Sequence, residues 1–276
     1  MFVRLLCCAL VMALSACSNT QPRVVSPVPD KQFLLLGEVH DNPQAHARQL
    51  ALLQALIAAG KRPAIAMEQF DREQQPALDR AMQHCPDAAC VVREAAAPNA
   101  AWAWHHYHPV IALALQYRLP LLAANLSRQD AGRIMREGLG AGLDAATLTR
   151  FGLDQALPEA LLAQQRRIIA LAHCDAMPDS LLPGMAQAQL ARDVWMARVL
   201  LDSPAPQTLL LAGNGHVRRD IGVPYWLGAD AARAWVAGFA EAGSEATAYD
   251  ALEIVAAPPG RGDPCAALRA RAGTRQ

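Results

Sequence analysis

The residues best suited to chemistry are carboxylates and imidazoles that follow short apolar runs. Glu38 and His40 lie in the string Gly37-Glu38-Val39-His40, directly after the run QFLLL. Glu68 follows AIAM, and His216 ends the string Gly213-Asn214-Gly215-His216 after TLLLA. Two carboxylates and two imidazoles brought together can bind a divalent metal ion or share a proton. The alternative for each residue alone is a helix cap or a hydrogen bond to a loop.

A second candidate is the segment WAWHHYHP, which spans residues 102–109. Its three histidines, two tryptophans and one tyrosine are unusual in a chain with 5% aromatic residues. If the segment is helical, Trp104, Tyr107 and His108 share one face. With His105, they are candidates to hold a flat apolar cofactor through a Tyr or His ligand. Tyrosinate suits ferric haem, and imidazole suits either oxidation state. A buried aromatic stripe with solvated histidines is the alternative.

Other polar residues offer weaker signals. Arg218 and Arg219 follow the second Gly-x-x-His string and are candidate partners for cofactor carboxylates, because a guanidinium donates two parallel hydrogen bonds to a carboxylate. Two solvated arginines are the simpler alternative. Gln189, Arg192 and Asp193 lie on an otherwise apolar helical pattern and can bond loops around a cleft, although a structural role is the simpler interpretation.

Apolar runs that alternate with helical patterns predict an α/β fold, a mostly parallel sheet flanked by helices. Predicted strands cover residues 32–36, 64–67, 119–124 and 208–212, with a last strand inside 249–255. These runs are apolar throughout, as expected for strands buried on both faces. Ligands of open parallel sheets bind beyond the carboxyl ends of the strands. We therefore expect the candidate carboxylates and imidazoles to meet at one edge of a domain that covers residues 31–256.

Helical patterns dominate the rest of the chain. Asn42 and Pro43 mark the start of a helix that ends near Gly60, and further helices are predicted over about 77–83 and 101–117. Between the third and fourth strands only helical patterns occur, at 127–139, 158–172 and 181–201. A parallel crossover needs only about a dozen residues. The excess predicts a smaller all-helical insertion at about 126–205.

The N-terminus predicts export and a lipid anchor. Met1–Arg4 is positively charged, residues 5–14 form a short apolar run, and Ser15 and Ala16 precede Cys17. These are the features of a secretory signal, and the run is shorter than the ~20 apolar residues of a membrane span. The end of the signal also resembles the bacterial lipobox, whose cysteine is acylated.

The predicted organisation is therefore a signal peptide at 1–17, lipidation at Cys17 and a flexible tether at 18–30. Ser18 after the cysteine resembles the sorting signal for a periplasm-facing outer-membrane lipoprotein. An ordinary secreted protein with an incidental cysteine is the alternative.

Charge and cysteine content narrow the class further. The formal net charge is +0 and the sequence has no basic block, so nothing points to nucleic acid. Cys85, Cys90, Cys174 and Cys265 remain after processing, and an even number favours disulfides in an oxidising compartment. Cys85–Cys90 would close a short loop and leave Cys174–Cys265, although four cysteines allow three pairings. Zinc is the alternative, but no Cys-x-x-Cys unit occurs. Residues 257–276 are predicted to be a poorly structured tail.

Together these strings resemble the ChaN-like family of haem-binding lipoproteins. The matching strings run in order from about Phe33 to Pro224: LLLGEVHDNPQAH, AIAMEQFDREQQPALDRA, WAWHHYHPVIALA, LPLLAANLSR, AQLARDVWMA and LLLAGNGHVRRDIGVP. The resemblance implies a parallel α/β domain with a smaller helical domain and a role in haem or iron acquisition. It also implies a homodimer that holds two haems face to face, each iron bound by a tyrosine. Tyr107 matches that tyrosine, and His216 is the candidate for a histidine contributed across the dimer. An outer-membrane haem receptor is the implied partner.

The paired Gly-x-x-His strings also resemble a wider superfamily that includes Tiki-type metalloproteases and erythromycin-esterase-like enzymes. That resemblance implies a rival function, a metal-dependent hydrolase. Glu38, His40, Glu68 and His216 would then hold a divalent metal.

Overall fold

The computed structural model describes residues 28–98, 101–263, 265–266 and 270. The predicted signal peptide, the lipid-bearing Cys17 and most of the predicted tether lie outside the described residues and stay predictions. Within the described part of the chain, no helix combines the length and apolar character that crossing a bilayer requires.

A parallel sheet forms the centre of the fold. In chain order its strands are β1 (Phe33–Glu38), β2 (Ala64–Asp71), β3 (Leu121–Asn125), β4 (Thr208–Gly213), β5 (Ala234–Ala240) and β6 (Ala251–Ile254). Their spatial order is β3-β2-β4-β1-β5-β6, and every neighbouring pair is parallel. The predicted α/β fold is confirmed. β5 is absent from the predicted strands because its sequence, AWVAGFA, is rich in Ala and Gly, which favour strands poorly.

Helices cover both faces of this sheet. They are α1 (Pro43–Ala58), α2 (Gln75–His84), α3 (Ala88–Ala95), α4 (His108–Tyr117), α5 (Arg128–Glu137), α6 (Ala145–Arg150), α7 (Glu159–Ala172), α8 (Leu182–Asp202), α9 (Asn214–Val217) and α10 (Val223–Trp226). Leu34 and Leu36 pack into a core with α1 to α4, whereas Phe33 and Leu35 pack into a second core with α5 and α8. Since alternate side chains enter different cores, the strands are apolar at every position.

The helical insertion lies between β3 and β4, as predicted, and comprises α5 to α8. α8 also covers the sheet, because its Val194 and Ala197 belong to the same core as Leu35 and Leu210. This packing brings the middle of α8 to the carboxyl edge of the strands.

The single helix predicted over 101–117 is divided in the structure. Trp104–His106 forms a short 3-10 turn, and α4 begins only at His108. Pro109 lies in the first turn of α4, where its missing N–H costs no helical hydrogen bond. Trp104, Tyr107 and His108 therefore do not share a helical face.

Both expected cysteine pairs are disulfides in the structure. Cys85–Cys90 joins the end of α2 to α3, with the Cα atoms 5.5 Å apart. Cys174–Cys265 ties the end of α7 to the tail, with the Cα atoms 5.6 Å apart. The tail is held a second time, because Arg261 pairs with Asp41 at 2.6 Å.

Candidate functional site

Three neighbouring strands bring the predicted residues to one edge of the sheet. β1, β2 and β4 are adjacent and parallel, so the residues after their carboxyl ends meet. His40 lies above this edge, its Nδ1 3.0 Å from Glu38 Oε1 and its Nε2 4.0 Å from Glu68 Oε1. Both carboxylates are buried, whereas the His40 side chain is 44% exposed. His40 thus contacts acids on both faces of the sheet.

Glycines in both Gly-x-x-His strings permit this approach. A Cβ atom on Gly213 would lie 3.0 Å from Cε1 and Nε2 of His40. A Cβ on Gly37 would lie 2.3 Å from the Asn214 side-chain oxygen, far inside contact distance. Each string therefore needs glycine because another group packs against its backbone.

On the α8 face of the edge lies a buried ionic network, hereafter the ionic side (Glu68, Gln189, Asp193 and His216). His216 Nδ1 is 2.5 Å from Asp193 Oδ1, and its Nε2 is 3.4 Å from Glu68 Oε1. The Gly213 N–H donates to Glu68 at 2.7 Å, and Gln189 Nε2 lies 3.1 Å from the imidazole nitrogens of His216. Asp193 is therefore part of the site rather than of the fold alone.

The network sets the charges of its members. Burial disfavours a charged His216, but Glu68 and Asp193 outweigh burial and raise the pKa of His216 to about 10. Burial would raise the pKa of Glu68, yet the His216 and His40 imidazoles and the Gly213 N–H hold it far below its usual range. Burial raises the pKa of Asp193 to about 6, despite the nearby His216. Glu68 and His216 therefore form a charged pair near neutral pH.

On the opposite face lies a cluster of rings, hereafter the aromatic side (Glu38, His46, Trp102 and Trp104–Tyr107). Tyr107 is 1% exposed, and its hydroxyl donates to Glu38 Oε1 at 2.5 Å. His46, buried on α1, lies 3.4 Å from Glu38 Oε2 through Nδ1 and 2.9 Å from the His40 carbonyl through Nε2. Burial and the Glu38 carboxylate raise the pKa of Tyr107 far above its usual range, so its phenol is protonated.

Other rings of the aromatic side pack edge-on against Tyr107, whose ring centre lies 4.8 Å from that of His46, 6.1 Å from that of Trp102 and 6.0 Å from that of Trp104. Trp102 contacts the His40 ring at 4.9 Å, and Trp104 packs against Phe70 at 5.2 Å. The His106 ring stacks on His46 with the ring centres 4.6 Å apart and the planes 5° from parallel. His105 is exposed, whereas Trp102, Trp104, His106 and His108 are half-buried. Burial, His46 and His105 lower the pKa of His106.

The arginines predicted to meet a cofactor are occupied elsewhere. Arg218 is buried and pairs with Asp220 and Glu245, each at 2.7 Å. Arg219 pairs with Asp250. The structure therefore does not bring these two guanidinium groups to the site, because internal carboxylates already neutralise them.

One further predicted role changes with the structure, and one residue of the site was not predicted. His216, the candidate for a ligand across a dimer, is 5% exposed and held inside the ionic side. His46 was missed because a lone histidine on an amphipathic helix carries no sequence signal. Its burial beside Ala45 and Gln49 on the inner face of α1 could have indicated it.

Several buried polar atoms at this edge have no hydrogen-bond partner among the described residues. They are both side-chain polar atoms of Gln69 and Asp193 Oδ2, whereas Glu38 Oε2 has only the 3.4 Å contact with His46 Nδ1. Leaving such atoms unpaired costs about 1–3 kcal/mol each. Unpartnered buried polar atoms also occur away from this edge, for example at Gln32, Gln165 and Gln207, so they do not by themselves mark a binding site.

Another cluster of possible metal ligands lies away from this edge, but its cysteine is not available to bind a metal. His84, Cys85 and Glu94 place ligand atoms within 4.8 Å of one another, but the Cys85 sulfur is in a disulfide. It cannot act as a thiolate ligand.

The fold and the edge define the chain as a parallel α/β protein whose strand ends carry a cluster of histidines and carboxylates beside the aromatic side. The family can be stated as well. The chain matches the family described as "Haem-binding uptake, Tiki superfamily, ChaN" over residues 24–227, and it belongs to that family.

A solved structure shares the fold. ChaN of Campylobacter jejuni, a structure of cofacial haem binding, has a TM-score of 0.67 at 22% identity, over 83% of this chain and 89% of that one. The erythromycin esterase EreC has a TM-score of 0.46 at 13% identity, over 76% and 70% of the two chains. No curated protein matches the chain.

Proposed function

We propose that the chain binds haem against the aromatic side and serves in haem or iron uptake or storage. The observation that carries the proposal is the packing of Trp102 and Trp104 against Tyr107 at one edge of the sheet, beside the stacked rings of His106 and His46. Haem is flat and largely apolar, and its iron takes a nitrogen or oxygen ligand. Half-buried indoles and imidazoles supply both, so the residues fit the group. Bound haem supplies a Lewis-acidic iron, and the chain supplies the surface that holds it.

The iron ligand is the finer part of this proposal. Tyr107 is the ligand implied by resemblance, but its phenol is buried and donates to Glu38. It can reach iron only if the ring leaves that carboxylate. The histidines of the same segment, His105, His106 and His108, are therefore candidates too.

The cellular part of the proposal comes from the N-terminus and the family. We propose a lipid on Cys17, an outer-membrane location facing the periplasm, and a homodimer with two haems face to face. An outer-membrane haem receptor is the proposed partner. Labelling with a radioactive fatty acid tests the anchor, because Cys17→Ser should lose both the label and the membrane fraction.

A ferric haem titration tests the central proposal. The chain without residues 1–17 should show a saturable Soret shift, and a native mass measurement should show dimer formation with bound haem. Trp102→Ala should weaken binding, whereas Trp195→Ala should not, because Trp195 lies between Arg72 and Arg198 away from the aromatic side. The absence of saturable binding by the wild-type chain would rule the function out.

A second candidate function rests on the arrangement of the two edge imidazoles. His40 and His216 each have Nδ1 beside a carboxylate, Glu38 or Asp193, while each Nε2 faces Glu68. Carboxylates on the outer nitrogen orient and strengthen histidine ligands. Two imidazoles and one carboxylate are a common set for a divalent metal. A metal-dependent hydrolase is therefore the alternative.

The two candidates respond to different variants. Hydrolysis predicts metal-dependent turnover of ester or peptide substrates that is lost in His40→Ala and Glu68→Ala and retained in Tyr107→Phe. Calorimetry with Mn²⁺ or Zn²⁺ should show the same pattern for metal affinity. Turnover that is independent of metal and of Glu68 would eliminate this alternative.

A further inference from the structure

The aromatic side differs in how freely its ligand atoms can be reached. Tyr107 is sealed, and its oxygen is committed to Glu38 at 2.5 Å. His106 is half-buried, and among the described residues its ring nitrogens make no hydrogen bond. The solvent-accessible imidazole of His106 is therefore adjacent in sequence to the inaccessible phenol of Tyr107.

The orientation of the His106 ring is also fixed from below. It lies flat on His46 at 4.6 Å, and His46 is itself held by the His40 carbonyl and the Glu38 carboxylate. The ring centre of His105 lies 4.0 Å from that of His106, but His105 is exposed. Its orientation is therefore not fixed by a buried ring in the way that His46 fixes His106. A ligand that is oriented before binding loses less entropy when it binds.

From this contrast we infer that His106, rather than Tyr107, is the residue that binds the haem iron in this chain. The inference rests on the proposed haem function and deepens it. Tyr107 is then a positioning residue, because its hydrogen bond to Glu38 anchors the turn Trp104–His106 to the end of β1. Neutral imidazole is a common haem ligand, so no unusual chemistry is required.

Absorption and electron paramagnetic resonance of the mature chain with ferric haem test the assignment. The wild-type chain should show an imidazole-ligated spectrum. His106→Ala should bind roughly tenfold more weakly or worse, since even residues that only support a ligand typically cost about 10–100-fold. Added imidazole should restore its spectrum. His84→Ala, at an exposed histidine outside the aromatic side, is the control and should keep the wild-type spectrum. His105→Ala and His108→Ala should each weaken binding less than His106→Ala. Tyr107→Phe should also keep imidazole ligation.

Circular dichroism of His106→Ala separates ligand loss from unfolding, and we expect it to be unchanged because the ring is half-exposed. A phenolate-to-iron absorption band that disappears in Tyr107→Phe would overturn the inference and leave the haem function standing. Equal losses in the three histidine variants would overturn it too. Failure of the wild-type chain to bind haem would remove the function and the inference together.

Discussion

The two sides of the sheet edge use His40 in common but differ in almost everything else. The aromatic side surrounds one buried carboxylate with rings and a phenol, and part of it is open to solvent. The ionic side joins two carboxylates through His216, and these three charged side chains are all buried. The contrast agrees with the proposal that the aromatic side contacts haem, whereas the ionic side holds buried charges in place.

The largest loss in the free energy of unfolding is expected from removing Asp193 on the ionic side. Asp193→Ala leaves the charged His216 with one buried partner, and removing one member of a buried pair costs about 3–5 kcal/mol. Urea denaturation should show that loss in the free energy of unfolding. Asp202→Ala, an exposed acid on the same helix, should change it by less than about 0.5 kcal/mol. Similar effects of both substitutions would contradict an energetically important ionic side.

A smaller loss is expected on the aromatic side. Tyr107→Phe keeps the ring but removes one of the two contacts of Glu38 Oε1, because His40 Nδ1 remains 3.0 Å away. A hydrogen bond to a charged group contributes about 1.5–3 kcal/mol. Tyr117→Phe is the matched control, because Tyr117 is 36% exposed. Thermal unfolding of both variants measures the difference. If Tyr107→Phe melts like the wild-type chain, the phenol does not anchor the turn.

The pH dependence of stability sharpens the comparison further. The pKa of His216 rises from an ordinary 6.5 to about 10 in the folded chain. Because the pKa of His216 is higher in the folded chain, its protonation contributes fully to the free energy of unfolding below pH 6.5. That contribution is lost as the pH rises through 10. The stability difference between the wild-type chain and His216→Gln should therefore shrink from pH 6.5 to pH 10. Trp195→Phe, a control that changes no titrating group, should show no such trend. A difference that grows with pH would contradict the sign.

The sequence predicted where the site lies better than how it is built. Parallel topology alone brings Glu38, Glu68 and His216 to one edge, so three strand-end positions were enough to locate it. The roles of His46 and Asp193 depend on which faces of α1 and α8 turn inward, and that orientation is set by tertiary packing. Tyr107 shows the limit most clearly, because no pattern in WAWHHYHP reveals that its phenol turns towards Glu38.

The most direct test compares haem affinity after one change on each side of the edge. His106→Ala alters the aromatic side, and the near-isosteric Asp193→Asn alters the ionic side. Ferric haem titrations followed by absorbance should show a loss of roughly tenfold or more in His106→Ala and near wild-type affinity in Asp193→Asn. The reverse pattern, with haem lost only from Asp193→Asn, would place the ligand on the ionic side and contradict the account.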